Sequence, residues 1–392
     1  TPVHHGLSRL ALDVAQQFRA QLDHAGLVAA VNVAERERGH VPAALSQAET
    51  LGDLHAIGRR GIQFFVDFGA MTVLFAADRA DLMGYVPGAE VMKVDVTDGR
   101  IDTISGIIYS QIKSQRSIRQ LRMTVMTPRT KARKPAVVYF PGGGFTSADH
   151  EKFIEMRHAL ARAGFVVAAA EYRTVPVKFP ALVEDGKAAV RYLRAHADEY
   201  GIDPERIGVI GDSAGGYLVQ MLGATNGEKA FDKGDFTNVS SDVQAVCTIY
   251  GISDLTSIGE GLDPAQAKVH ASPAVTEALL VHGPAFGKSP GGSILSDREK
   301  AMNASSLGHI DGSEPPVLIM HGSGDRLVSP MQSAHLAQAL RKAGTDVEYV
   351  LVEGAGHGDL PWFQKPVIER VVKFFEKRLG SPAKDAAEGN NL

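Results

Sequence analysis

From Ala136 onward, short apolar runs rich in β-branched residues alternate in strict turn with helical patterns. Strands are expected near 136–140, 165–171, 206–211, 243–250, 316–321 and 347–352. Between most of them lie amphipathic stretches such as ALVEDGKAAVRYLRAHADEYG, which sets Leu182, Val183, Gly186, Val190 and Leu193 along one face. Such alternation admits few architectures: a mostly parallel sheet, covered by helices on both faces, satisfies it. In sheets of this kind ligands collect beyond the carboxyl ends of the strands, so the residues just after each strand are the candidates for chemistry.

The rest of the chain departs from that rhythm. Up to about residue 95 the pattern reads as helical, with Leu7, Leu10, Val14, Phe18 and Leu22 at spacings of three and four and further helices around 42–58 and 62–82. The most apolar window, IQFFVDFGAMTVLFAA from Ile62 to Ala77, contains Asp67 and is too short to span a bilayer; it is expected as a helix, buried or lining a pocket. TISGIIYS and IRQLRMTVMTP then read as two antiparallel strands. The expected organisation is a helical amino-terminal extension over 1–95, serving as cap or dimer arm, a catalytic domain over 96–380 and a mobile tail over 381–392. The Gly-, Pro- and Ser-rich connection 257–314 is far longer than an ordinary crossover and is expected as a lid or specificity element.

Composition narrows the function classes. A chain of 392 residues, 44% apolar, can bury a large core, and a net charge of −4 offers no basic surface for nucleic acid or an anionic membrane. Small molecules or other proteins are the expected partners, with no membrane span and with a homodimer as an open option. The single cysteine, Cys247, sits in the apolar run VQAVCTIYG and is expected to fill core. Without disulfides a chain suits a reducing compartment and would also survive a periplasm, so the cytoplasm is only slightly favoured. The sequence opens on Thr1 rather than Met, which is compatible with a processed start.

After the strand RIGVI comes GDSAGGYLVQML, which fits G-x-S-x-G as Gly211, Asp212, Ser213, Ala214 and Gly215. A turn from strand to helix this tight needs small residues around the serine, whose hydroxyl is then held at the sheet edge. Serine becomes a nucleophile only when a base takes its proton, and the base needs an acid to orient it. His357, in the loop of VLVEGAGHGD after the last strand, is the expected base. His321, His150, His158 and His309 are its rivals, and none of them closes the chain order serine, acid, histidine. Asp325 in HGSGDRLV is the expected acid, with Asp254 in YGISDL as its competitor. Glu353 and Asp359 read as solvated or capping groups.

The stretch VVYFPGGGFTS runs a strand straight into three glycines. Attack by Ser213 on a carbonyl would create an oxyanion, and preorganised amides aimed at it are worth about 3–4 kcal/mol per donor. The amides of Gly143, Gly144 and Ala214 are the expected oxyanion hole. A phosphate-binding reading fails, because GGGFTS lacks the Lys-Ser or Lys-Thr of a P-loop and no dinucleotide fingerprint follows a first strand.

The ordered set PGGGF, EYRTVPVKFPALVED, YGIDPERIGVIGDSAGG, YGISDL, HGSGDRLV and GAGHG resembles the α/β-hydrolases, within them the hormone-sensitive-lipase-like and feruloyl-esterase-like (BD-FAE-like) serine carboxylesterases, over roughly residues 104–380. The resemblance implies Ser213, Asp325 and His357 as a triad, no metal or cofactor, and Arg173 and Asp185 as structural supports of the oxyanion loop. It implies hydrolysis of a small or medium ester through an acyl-enzyme. An amidase or exopeptidase with the same triad, or an acyl-transferring or non-hydrolytic protein on this fold, stands as the alternative. The family usually carries histidine where this chain has Pro141, and residues 1–95 lie outside the resemblance.

Overall fold

A computed structural model describes residues 62–66, 73–77, 82–86, 88–95 and 99–381. Contacts divide the chain into two units, 1–95 and 96–392. In the first, β1 (Ile62–Val66) and β2 (Val73–Ala77) pair antiparallel, with Phe64 opposite Phe75. This corrects the helix expected over Ile62–Ala77, and with it the wholly helical extension. Short apolar runs do not separate helix from strand by period, and IQFFV and VLFAA carry the branched and aromatic residues that favour strand. The expected helices before residue 62 and all of the tail after Ser381 lie outside the described residues.

The second unit is built on eight strands: β3 (Ile101–Lys113), β4 (Ile118–Pro128), β5 (Lys134–Phe140), β6 (Val166–Ala170), β7 (Ile202–Asp212), β8 (Ala245–Ile249), β9 (Val317–Gly322) and β10 (Val347–Val352). Their order across the sheet is β10-β9-β8-β7-β5-β6-β4-β3. β3 and β4 are antiparallel, as is β4 with β6, and every other pairing is parallel. Alternation along β5 shows how the sheet divides two cores: Ala136, Val138 and Phe140 enter one, Val137 and Tyr139 the other.

α1 (Ile154–Arg162) lies on the Val137 side; α2 (Ala181–Ala195) and α3 (Ala214–Ala224) bury Leu182, Val190, Leu218 and Leu222 on the Val138 side. The connection after β8 is not slack: α4 (Pro264–His270), α5 (Thr276–His282) and α6 (Arg298–Asn303) occupy it, and Ala278, Leu280, Ile294 and Ala301 join the same core. Asp263 caps α4 by accepting from the amides of Ala265 and Gln266, and Asp297 caps α6 through Lys300. α7 (Pro330–Ala343) starts on the Ser329 cap with proline in its first turn and stops at Gly344.

α8 (Lys365–Leu379) closes the Val137 side with Val367, Val371, Phe374 and Phe375, a spacing of four, three and one that makes a single stripe. Phe375 is fully buried, its ring 6.4 Å from that of Phe165 and set edge-on. Gly208 on β7 makes room for it: a Cβ there would stand 2.7 Å from the Phe375 ring. Cys247 is buried in β8, in the same core. Among the described residues no helix is long and apolar enough to cross a membrane.

Phe375→Ala is expected to lower the unfolding free energy in a denaturant titration by about 3–5 kcal/mol, the usual cost of emptying an aromatic core site. A loss under about 1 kcal/mol would mean that α8 is not a structural wall of the sheet.

Candidate active site

The sheet delivers three side chains to its carboxyl edge from three different strands. β7 ends at Asp212, and Ser213 turns the chain into α3 with φ 52° and ψ −118°. A side chain at positive φ is costly, about 1–3 kcal/mol, and holds only where its surroundings over-determine it. They do so here, since the Ser213 amide donates to the Ile249 carbonyl at 2.9 Å and the Ser213 carbonyl accepts from the Tyr217 amide at 2.9 Å. Glycine neighbours let the turn close: a Cβ on Gly215 would lie 2.0 Å from the Phe140 oxygen.

His357 arrives from the loop after β10. Its Nδ1 lies 2.7 Å from Asp325 Oδ2 and its Nε2 2.9 Å from Ser213 Oγ. A carboxylate only accepts, so Nδ1 carries the proton and Nε2 accepts from the serine hydroxyl. The loop is held by its own contacts: the Gly356 amide donates to Asp359 Oδ2 at 2.7 Å, and Trp362 Nε1 donates to the Gly356 carbonyl at 2.8 Å. The Tyr250 ring stands 4.5 Å from the imidazole and 4.8 Å from the indole.

Asp325 follows β9. Its Oδ1 accepts from the amides of Leu327 and Val328 at 2.9 and 3.0 Å, and its Oδ2 faces His357. Burial by itself would raise this carboxyl, but hydrogen bonds from His321 and His357, with the charge His357 can carry, hold it well below the ordinary carboxylate range. His321, expected only as a rival base, stands beneath the acid. Its Nε2 is 3.0 Å from the Val328 carbonyl and 3.3 Å from Asp325 Oδ2, and its Nδ1 is 2.7 Å from Ser333 Oγ.

The other rivals are elsewhere. Asp254 accepts from the Thr256 amide and from the Thr256 and Ser257 hydroxyls. His309 is shared between Glu228 and the Asn303 carbonyl, His150 lies beside Glu151 and Glu171, and His158 is exposed on α1. Glu353 is exposed.

The three glycines after β5 differ from one another. Gly142 spends its amide on Asp212 Oδ1 at 3.0 Å, and a Cβ there would lie 2.5 Å from Asp212 Oδ2 and 3.0 Å from Ser213 Cβ. Gly143 accepts at its carbonyl from the Thr146 and Ser147 amides, and Ser147 O would be 2.3 Å from its Cβ. Gly144 has φ +57° with open space around it. The bareness of the loop thus has structural causes: Gly142 makes room for the Ser213 turn and Gly143 for the loop's own backbone. No hydrogen bond among the described residues takes the amides of Gly143 or Gly144. Ala214, first residue of α3, has no intrahelical acceptor for its amide.

Arg173 and Asp185 lie behind this loop. The Arg173 amide and Nε meet the Asp185 carboxylate at 2.7 and 2.9 Å, and Nη2 reaches Glu184 and the Ala181 carbonyl. Burial raises the Asp185 carboxyl against the pull of Arg173. The segment they anchor holds both ends of PGGGF: the Tyr172 hydroxyl donates to the Pro141 carbonyl at 2.6 Å, and the Val175 amide to the Phe145 carbonyl at 2.8 Å. Tyr139, Tyr172, Tyr250 and Trp362 were not singled out from sequence. Their partners are distant in the chain, and no spacing rule marks such pairs.

Chain order settles the class: serine first, acid second, histidine last, each beyond a parallel strand of one sheet, is the order of the α/β-hydrolases. Their BD-FAE family model matches residues 123–340, more than half of the chain, and the chain belongs to that family. It is 29% identical over 211 residues to a probable carboxylic ester hydrolase, LipM, of Mycobacterium tuberculosis, which covers 53% of this chain and 45% of the relative. The chain thus spans about half the length of the curated relatives it matches. Among solved structures, a truncated carbohydrate esterase from gut microbiota superposes with a TM-score of 0.60 at 25% identity, over 73% of this chain and 99% of that one. The butyrate-bound esterase Est2 of Thermogutta terrifontis gives 0.55 at 26%, over 74% and 97%.

Gly142→Ala is expected to slow fluorophosphonate labelling of Ser213 about 100-fold, because the added methyl drives the loop off the serine turn. Labelling within about threefold of the unmodified rate would mean that the loop gives way without consequence.

Proposed function

We propose that the chain is a serine carboxylester hydrolase that cleaves a small or medium ester through an acyl-enzyme. The observation that carries this is the relay from Ser213 Oγ to His357 Nε2 at 2.9 Å and from His357 Nδ1 to Asp325 at 2.7 Å. Ser213 Oγ attacks the ester carbonyl carbon while His357 Nε2 takes its proton. The oxyanion is held by the amides of Gly143, Gly144 and Ala214, and Asp325 keeps the imidazole oriented and balances its charge. Collapse breaks the bond to the leaving oxygen, which departs as the alcohol with the proton from His357. Water then adds to the acyl group with His357 as base, and the acid leaves as the proton returns to Ser213.

The names of the relatives support ester chemistry, and the butyrate in the Thermogutta structure supports a short acyl chain. The packed connection over 257–314 is the described segment that we expect to contribute to specificity.

Ser213→Ala is expected to reduce hydrolysis of p-nitrophenyl acetate or butyrate by roughly 10⁵–10⁶-fold without changing thermal unfolding. Unchanged turnover would sink the mechanism. Matched ester and amide substrates separate an esterase from an amidase, and a series of acyl lengths should peak at four carbons or fewer. Pro141→His is expected to leave turnover within roughly tenfold, about 1.4 kcal/mol in barrier, because the structure uses the carbonyl at this position. A much larger change would make the ring itself part of the pocket.

A further inference from the structure

Asp212 stands directly before the nucleophile, where an anion is electrostatically the wrong neighbour for a developing oxyanion. Its Oδ1 accepts from the Tyr139 hydroxyl at 2.8 Å and from the Gly142 amide at 3.0 Å. The same peptide unit that offers the Gly142 N–H offers, on its other side, the Pro141 carbonyl, which accepts from the Tyr172 hydroxyl at 2.6 Å. A trans peptide points its N–H and C=O in opposite directions within one plane. The Pro141–Gly142 plane is therefore held at both edges, by Asp212 at the end of β7 and by Tyr172 after β6, with Tyr139 of β5 bracing Asp212.

We propose that Asp212 and Tyr139 are positioning residues that, with Tyr172, clamp the Pro141–Gly142 peptide and so aim the next amides at the oxyanion; the inference rests on the esterase reading above. The clamp sits immediately upstream of the two amides left free. Beyond it, the Gly143 carbonyl is turned toward Thr146 and Ser147, so the Gly144 N–H in that peptide points the opposite way. Two pinned carbonyls, those of Pro141 and Gly143, thus bracket the Gly143 N–H and set the direction of the Gly144 N–H.

The clamp also disposes of the unfavourable charge. Two donors on one carboxylate oxygen, one of them a phenol, spread and offset its charge. Burial raises the Asp212 carboxyl, while the Tyr139 and Gly142 hydrogen bonds and the charges of Lys152 and His357 oppose that rise. Burial and the neighbouring carboxylate push the Tyr139 phenol far up, which keeps it a donor. Its ring is fixed by edge-on contact with Phe153, centroids 6.1 Å apart.

The test compares p-nitrophenyl acetate with its thiono analogue, since a misaimed oxyanion hole loses more on C=O than on C=S. In Asp212→Ala, kcat for the oxygen ester is expected to fall about 30-fold or more, with KM within about twofold and a smaller oxygen-to-sulfur rate ratio. Asp212→Asn, whose amide oxygen can still accept from Gly142, should recover most of the ratio. Tyr139→Phe, an isosteric change that keeps the fold testable if Asp212→Ala does not fold, should lower kcat about three- to tenfold and shrink the ratio in the same direction. An unchanged ratio in folded Tyr139→Phe and Asp212→Ala proteins overturns the clamp while leaving the esterase reading intact. An unmodified protein that neither hydrolyses the ester nor takes a fluorophosphonate on Ser213 overturns both.

Discussion

The site depends on how closely three backbone segments meet at the serine turn. A Cβ on Gly211 would lie 2.3 Å from the Gly215 oxygen, one on Gly215 would lie 2.0 Å from the Phe140 oxygen, and one on Gly216 would lie 2.9 Å from the Ile249 oxygen. The ends of β5, β7 and β8 therefore abut the first turn of α3 with no side chain between them. That contact holds Ser213 at positive φ, and it also brings the glycine loop after β5 close to the serine turn. Parallel pairing of β5 with β7, with Phe140 opposite Gly211, is what sets the two strand ends level.

Around that turn the electrostatics are divided between two carboxylates with opposite tendencies. Asp325 has two backbone amides and two imidazoles as neighbours, and stays ionised well below the ordinary range. Asp212 is raised by burial. In the proposed mechanism a charged Asp325 offsets the imidazolium that forms on His357, because an uncompensated cation at that depth would oppose proton transfer. His321, fastened to Ser333 and Val328, also stands against Asp325. Its place on β9, two strands from β7, explains why a histidine ending a strand can look catalytic without touching Ser213.

Much of the fold was legible because buried parallel strands leave continuous apolar runs, and each of the six expected from Ala136 onward overlaps an observed strand. The grouping of Ser213, Asp325 and His357 was legible because each follows such a strand. The run from Ile62 to Ala77 was misread for the complementary reason: an apolar stretch without polar alternation has no period to measure. The braces were not legible at all. Tyr139 and Asp212 are 73 positions apart, and Tyr172 and Pro141 are 31, so only the closed sheet makes them partners. Likewise PGGGF reads as one uniform motif, whereas its glycines answer to a carboxylate, a neighbouring carbonyl and a left-handed φ in turn.

Pro141 can be understood on the same terms. β5 ends at Phe140, and proline there has no N–H that a further strand residue would have to satisfy. The first amide after the strand is then that of Gly142, and it has a single acceptor in Asp212 Oδ1. Fixing φ at residue 141 removes one of the two rotations that would otherwise swing the following peptide plane. Tyr172 and Asp212 restrain the other. A ring that donates nothing thus suits this position because the loop is located by one peptide plane, its carbonyl bound on one side and its amide on the other.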